Sequence, residues 1–254
     1  MTAIRLAFAA NRGIGVQALR MLLDAGIRPL ALLAPTGPRA SGVDEMRAML
    51  PDTVHLPDRQ FRESAGVETL RGLRLDYILS VHFPYIFPPL VLALPSVGCL
   101  NLHPAYLPYN RGWHTPSWAI LDGTPIGATL HWIDAGIDSG DIAAQVEVEV
   151  SASDTADTLY KRVLTAELKL FEQCIPAIVA RSLPKLRQAS PGSAHSKADL
   201  AAVQELRLDE RVEVGALLRK LRALSTNNPT EHAYFREAGR IFRVQIAISD
   251  EKCG

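Results

Sequence analysis

Short apolar runs that alternate with stretches of helical spacing constrain this chain most. Ile4-Arg5-Leu6-Ala7-Phe8-Ala9-Ala10 reads as a buried strand. Val16, Leu19, Leu22 and Leu23 then recur at helical spacing, and Gly26 stands where a left-handed residue ends a helix. Residues 29–34 read as a second strand, and Tyr77-Ile78-Leu79-Ser80-Val81 as another. Residues 99–102, 129–133 and 142–150 follow in the same style. Strands separated by helices predict an α/β fold: a Rossmann-like, mostly parallel sheet with helices on both faces. A long amphipathic helix is expected over residues 154–180, opened by the cap chemistry of Ser153-Asp154-Thr155.

After Arg181 the texture changes. Residues 188–194 read as a linker, 213–223 as a short helix and 240–248 as a strand. The expected organisation is therefore a catalytic domain over residues 1–182 and a small C-terminal α+β subdomain over 183–254. With 254 residues, 48% of them hydrophobic and 21% charged, the chain can bury a substantial core. Disordered, collagen-like and coiled-coil classes are excluded. Lys plus Arg and Asp plus Glu are both 27, which speaks against a broad nucleic-acid surface. Cys99, Cys174 and Cys253 are far apart and form no C-x-x-C pair, so neither a disulfide framework nor a zinc site is expected. No targeting segment or membrane span is read from the sequence, and a cytoplasmic location is expected.

Two segments concentrate the chemistry. In Gly98-Cys99-Leu100-Asn101-Leu102-His103-Pro104, strand alternation points Asn101 and His103 one way and Leu100 and Leu102 the other. Ligands of open α/β sheets gather at the carboxyl ends of strands, where this pair falls. An isolated pair of this kind is more simply read as bonded to the following loop. The second segment, His131 to Ile142, ends one strand, turns through Asp134, Gly136, Asp138 and Gly140, and begins another. It reads either as a turn held by Asp side chains or as an acidic loop that brings a carboxylate to His103.

Taken together, Asn101-x-His103-Pro104-x-x-Leu107-Pro108-x-x-Arg111-Gly112 and His131-x-x-Asp134-x-Gly136-x-Asp138-x-Gly140-Asp141-Ile142 resemble the folate-dependent formyltransferases. That family includes methionyl-tRNA formyltransferase, glycinamide ribonucleotide transformylase and the nucleotide-sugar N-formyltransferases. The resemblance covers roughly residues 1–180. It implies Asn101, His103 and Asp138 as catalytic residues, 10-formyltetrahydrofolate as co-substrate, and no metal. A primary amine would attack the formyl carbon. Asn101, and His103 when protonated, would donate to the oxyanion, each donor being worth about 3 to 4 kcal/mol. Asp138 would orient His103. Both His103 and Asp138 acting through water stand open as acceptors of the amine proton. The resemblance places the pterin between Phe83-Pro84-Tyr85-Ile86 and the loop Ala135-Gly136-Ile137-Asp138. His131 reads as a buried structural histidine and His82 has no assigned role. His55, His195 and His232 read as surface residues.

The acceptor is sought elsewhere. Asn11 and Arg12 precede a helix N-terminus, a natural place for anions, and are candidate contacts to a sugar or phosphate; a tight turn with an exposed arginine is the simpler alternative. Gly13-Ile14-Gly15-Val16-Gln17-Ala18 formally matches a dinucleotide fingerprint but lacks its acidic partner at the end of the second strand. Tyr109, Arg111, Trp113 and His114 are candidate substrate contacts: Arg111-Gly112 is shared across the family, whereas Trp113-His114 looks like the sugar-nucleotide branch, with Trp113 against a sugar ring and His114 at a diphosphate. Trp118 reads as a buried aromatic. Residues 221–229, followed by Tyr234 and Phe235, resemble the tail of the sugar enzymes. Tyr234 is a candidate nucleobase contact, or else packs the appendage. The expected function is formyl transfer to a nucleotide-linked amino-deoxy sugar by a homodimer that binds neither nucleic acid nor membrane. The alternatives are a methionyl-tRNA formyltransferase-like enzyme and a folate-binding homologue without turnover.

Overall fold

The structure is a computed structural model that describes residues 4–188 and 192–251. Cys253 and the middle of the expected linker lie outside the described residues. In chain order the first elements are β1 (Leu6–Ala10), α1 (Arg12–Asp24), β2 (Ala31–Ala34), α2 (Val43–Met49) and β3 (Val54–Pro57). Next come α3 (Ser64–Gly72), β4 (Tyr77–Val81), α4 (Pro89–Leu92), β5 (Gly98–His103), β6 (Arg111–Gly112) and α5 (Thr115–Asp122). The rest are β7 (Gly127–Trp132), β8 (Ile142–Glu147), α6 (Ala156–Ala180), β9 (Ala194–His195), α7 (Asp199–Val203), α8 (Val214–Ala223), β10 (Ala233–Glu237) and β11 (Arg240–Val244). The chain forms two compact units. One takes in Met1–His103, Thr129–Gln145 and Glu167–Gln188; the other takes in Pro104–Ala128, Val146–Ala166 and Ala189–Gly254.

The first unit is built on a seven-stranded sheet of order β3-β2-β1-β4-β5-β7-β8. Neighbours from β3 through β5 pair in parallel, and β5 pairs with β7 antiparallel. The mostly parallel, Rossmann-like sheet expected from the alternation is therefore present. Every residue of β1 and β4 is buried, as a strand covered on both faces requires. Ala7, Ala9, Leu33, Phe61, Leu70 and Ile78 share one core cluster. Burying each large side chain of this kind contributes about 1.5 to 3 kcal/mol. Helix α1 stops as expected: Gly26 takes φ +75 and its amide donates to the Leu23 carbonyl at 2.9 Å.

Several elements carry too little apolar periodicity to be read in advance. Strand β3 holds a histidine and ends in proline, as an edge strand can. Helix α2 buries only Val43 and Met46. Two expected strands are shorter than read, β8 ending at Glu147 and β11 at Val244.

The second unit has two small cores. Ala119, Ile120, Ile126, Leu159, Val163 and Ala223 form one, and Trp118, Leu200, Leu224 and Ala233 the other. Trp118 is thus the buried aromatic it was read to be. The start of α6 is a capping box with Thr158 in the role usually taken by Glu. The Thr158 amide donates to Thr155 Oγ1 at 3.3 Å, and the Thr155 amide donates to Thr158 Oγ1 at 2.9 Å. β10 and β11 pair antiparallel, with the Phe235 and Phe242 rings stacked at 5.2 Å. Val214, Leu218, Ile241 and Phe242 remain exposed.

Three histidines read as surface residues are not. His232 is buried, with Nε2 2.9 Å from the Thr226 carbonyl. The His195 ring lies flat on Trp118 at 3.9 Å. His55 sits half-buried on β3, and burial pushes its pKa down. Their polar sequence neighbours reveal nothing of partners that are distant along the chain.

Candidate active site

Register builds the site. β5 turns Asn101 and His103 to one face, and its antiparallel pairing sets His131 of β7 directly across from Asn101. β5 begins at Gly98, with φ +147; a Cβ there would stand 2.9 Å from the Trp132 ring. Because β7 runs antiparallel, residues 133–141 leave the sheet beside the start of β5, where the Ile133 amide donates to the Cys99 carbonyl at 2.8 Å. The loop then doubles back. Gly140 permits the return, since a Cβ would lie 1.9 Å from the Trp132 carbonyl oxygen. Asp134 braces the turn by accepting from the Gly136 amide at 2.9 Å and the Ser139 hydroxyl at 2.8 Å. Gln188 Nε2 donates to the carbonyls of Asp138 (2.8 Å) and Gly140 (2.7 Å). Asp138 itself adopts φ +49.

The three polar groups converge. Asp138 Oδ1 lies 3.4 Å from Asn101 Nδ2, and Oδ2 lies 3.5 Å from His103 Nε2. Oδ1 is also 3.5 Å from His131 Nε2. His131 Nδ1 faces the Trp132 carbonyl at 2.8 Å and so carries a proton, which leaves Nε2 to accept from Asn101 Nδ2 at 3.1 Å. His131 is therefore buried, as expected, yet it also orients the Asn101 amide. His103 is 6% exposed and its Nε2 has no hydrogen-bond partner among the described residues; 3.5 Å to Asp138 is an approach rather than a formed bond. Burial pushes the His103 pKa below 6.5, against the pull of Asp138, so the ring is neutral at pH 7.

The loop after β4 is locked from behind. Phe83, Tyr85 and Phe87 pack around Phe61, and the Tyr85 hydroxyl donates to Asp58 at 2.9 Å. The Thr36 hydroxyl and amide also donate to Asp58 and hold its carboxyl below the usual range. Pro84 is half-buried. Ile86 is 65% exposed, and Ile137, beside Ala135 and Gly136 on the doubled-back loop, is 63% exposed.

Asn11 departs from its reading. Its buried amide donates to the Arg39 carbonyl and accepts from the Ser41 amide, both at 2.9 Å, so it clamps residues 39–41 to the start of α1. Both ends of the amide are thereby engaged within the chain. Arg12 is exposed, with φ +66. In the second unit, Arg111 lies on β6, and Tyr109 is half-buried. Trp113 is 44% exposed, with Lys197 Nζ 5.4 Å from its ring centre. His114 Nδ1 stands 3.7 Å from Glu231. The Tyr234 hydroxyl donates to Glu205 at 3.2 Å.

Two residues escaped the sequence reading. Glu167 is fully buried, and both its oxygens lie 3.0–3.1 Å from His82 Nε2. The available signal was an acid set in the apolar stripe Val163, Leu170, Phe171, Cys174 and Ile178 of α6.

A formyl transferase family model matches residues 39–175. The chain belongs to that family. The N-formyltransferase dimerization C-terminal domain matches residues 199–250 of this formyltransferase. The dTDP-4-amino-4,6-dideoxyglucose formyltransferase of Mycobacterium tuberculosis is 35% identical over 180 residues, covering 70% of this chain and 76% of that one. A Mycobacterium tuberculosis crystal structure attributed to the sugar N-formyltransferases superposes with TM-score 0.80 at 28% identity, covering 98% of this chain and 100% of that one. The formyltransferase PseJ from Anoxybacillus kamchatkensis, solved with UDP-4,6-dideoxy-4-formamido-L-AltNAc and tetrahydrofolate, is 29% identical with TM-score 0.55, covering 68% and 88%. Methionyl-tRNA formyltransferases match as well, at 26–30% identity.

Proposed function

We propose that this formyltransferase moves the formyl group of 10-formyltetrahydrofolate to the amine of a nucleotide-linked amino-deoxy sugar, with Asn101, His103 and Asp138 as its catalytic residues. The carrying observation is the meeting of an amide, an imidazole and a carboxylate, the imidazole buried and the other two half-buried, at one corner of the sheet. His103 Nε2 is a buried polar atom without a partner among the described residues, which is what a group reserved for substrate looks like.

Each residue has a step. Neutral His103 takes the proton of the attacking amine through Nε2. Asp138, 3.5 Å away, then supports the imidazolium, which returns the proton to the folate nitrogen as its bond to the formyl carbon breaks. Asn101 exchanges its long 3.4 Å contact with Asp138 for the oxygen that gains negative charge at the formyl carbon. His131 keeps the Asn101 amide aimed during that exchange. The formyl donor fits the loops on either side. Phe83, Pro84 and Tyr85 form a braced wall, while Ile86 and Ile137 offer exposed aliphatic surface for a flat ring beside Ala135 and Gly136.

Arg12, Tyr109, Arg111, Trp113, His114 and Tyr234 are assigned to the sugar nucleotide. Trp113, paired with Lys197, has the exposed ring face such a ligand needs. The dimerization-domain match favours the sugar reading over the tRNA reading and supports a homodimer. The test is tetrahydrofolate release from 10-formyltetrahydrofolate with a panel of amino-sugar nucleotides. Release with sugars supports the reading. Formylation of methionyl-tRNA alone overturns the substrate, and folate binding without turnover on any amine overturns the catalysis.

A further inference from the structure

The carboxyl end of β4 holds a second ionisable pair, next to His103 but outside its contacts with Asn101 and Asp138. β4 and β5 run parallel with Val81 opposite Leu102, so His82 follows β4 where His103 closes β5. His82 adopts φ +50, a left-handed conformation that a non-glycine residue holds only where its surroundings impose it. Glu167 supplies that constraint, accepting from His82 Nε2 with both oxygens at 3.0 and 3.1 Å. The side chains are only 6% and 0% exposed. A buried carboxylate without a cation is expensive, and the group bonded to it can carry one.

We propose that His82 and Glu167 form a positioning pair for His103, a buried, hydrogen-bonded imidazole–carboxylate couple that the parallel β4–β5 register sets beside it. The proposal rests on the reading of His103 as the catalytic base. The titratable groups that face His103 are Asp138 on the doubled-back loop, His131 on β7, His82 after β4 and Glu167 on α6. Asp138 and Glu167 favour its charged form, and a histidine among these opposes it whenever it carries a proton. In an intact pair the contributions of the two groups at His103 oppose one another. A broken pair leaves one of them unopposed, and in a buried setting the remaining charge acts at full strength.

The test uses the full chain without substrates, so it stands whichever amine is formylated. Imidazole nitrogen NMR follows the His103 ring through a pH titration. Glu167→Gln is expected to lower its midpoint by about half a unit or more, and His82→Gln to raise it by a similar amount. The double variant His82→Gln/Glu167→Gln should return it toward the parent value. Folded single variants that leave the midpoint unmoved overturn the proposal, as does a double variant that adds the two shifts in one direction. If a variant fails to fold, the unmodified protein decides. The His82 ring nitrogen shifts are expected to move as His103 takes up its proton, because each ring senses the other's charge. His82 shifts that stay flat through the His103 titration overturn the idea. A pH profile of kcat/KM whose acid limb follows the NMR midpoint links the pair to turnover. Displaced NMR midpoints with an unmoved limb would reject His103 as the base while leaving the pair in place.

Discussion

Strand β5 and the β10–β11 hairpin break the ordinary rule of burial in opposite senses. β5 lies between two strands and carries a half-buried Asn101 and a buried His103. The hairpin is two strands wide and leaves Ile241 and Phe242 in the open, with Val214 and Leu218 of α8 likewise exposed. Buried polar groups cost free energy unless something uses them, and exposed apolar groups invite a covering surface. The contrast sets the proposed chemistry and the proposed association in separate parts of this chain. One part is polar where it should be apolar, the other apolar where it should be polar.

The contrast can be broken most directly at β5. Asn101→Ala, His103→Ala and Asp138→Ala should each lower turnover by about a hundredfold or more, read as tetrahydrofolate release. Near-parental rates in all three would detach this polar corner from catalysis. At the hairpin, Phe242→Glu should convert a dimer to monomer in sedimentation velocity while turnover per chain changes only a few-fold. A variant that sediments as the parent does would remove the association role from this face.

Smaller effects sharpen the picture of the first unit. Asn11→Ala deletes two buried hydrogen bonds and should cost about 1 to 3 kcal/mol in denaturant unfolding. His103 makes stability depend on pH. Its folded pKa lies below the 6.5 of a free imidazole, so in the window between them the unfolded chain binds more protons. Stability is therefore full above about pH 6.5 and declines as the pH falls through that window. His103→Gln should flatten this part of the curve. Least of all, burial pushes the Cys99 thiol up to about 12, so iodoacetamide should label it at pH 8 only after unfolding.

Much of the first unit could be read in advance because its strands are continuous apolar runs. β4 runs over the residues the pattern predicts, and α1 ends at the expected glycine. The catalytic candidates were legible for a different reason, the spacing of two motifs. The clamp made by Asn11 was not legible because a polar residue before a helix looks the same whether it faces a ligand or holds residues 39–41. The buried state of His232 was invisible because its partner is a backbone carbonyl.

By itself, the amino-acid order determined the alternating elements, the faces to which Asn101 and His103 point, and the family to which they belong. Those features depend on local periodicity and on residues close together along the chain. Tertiary structure alone decided that β7 runs antiparallel, so that the Asp138 loop must turn back to reach β5. It also decided that Glu167 meets His82 across 85 positions of sequence. Contacts of that span are selected by packing of whole elements against one another, and no local pattern encodes which two side chains that packing will join.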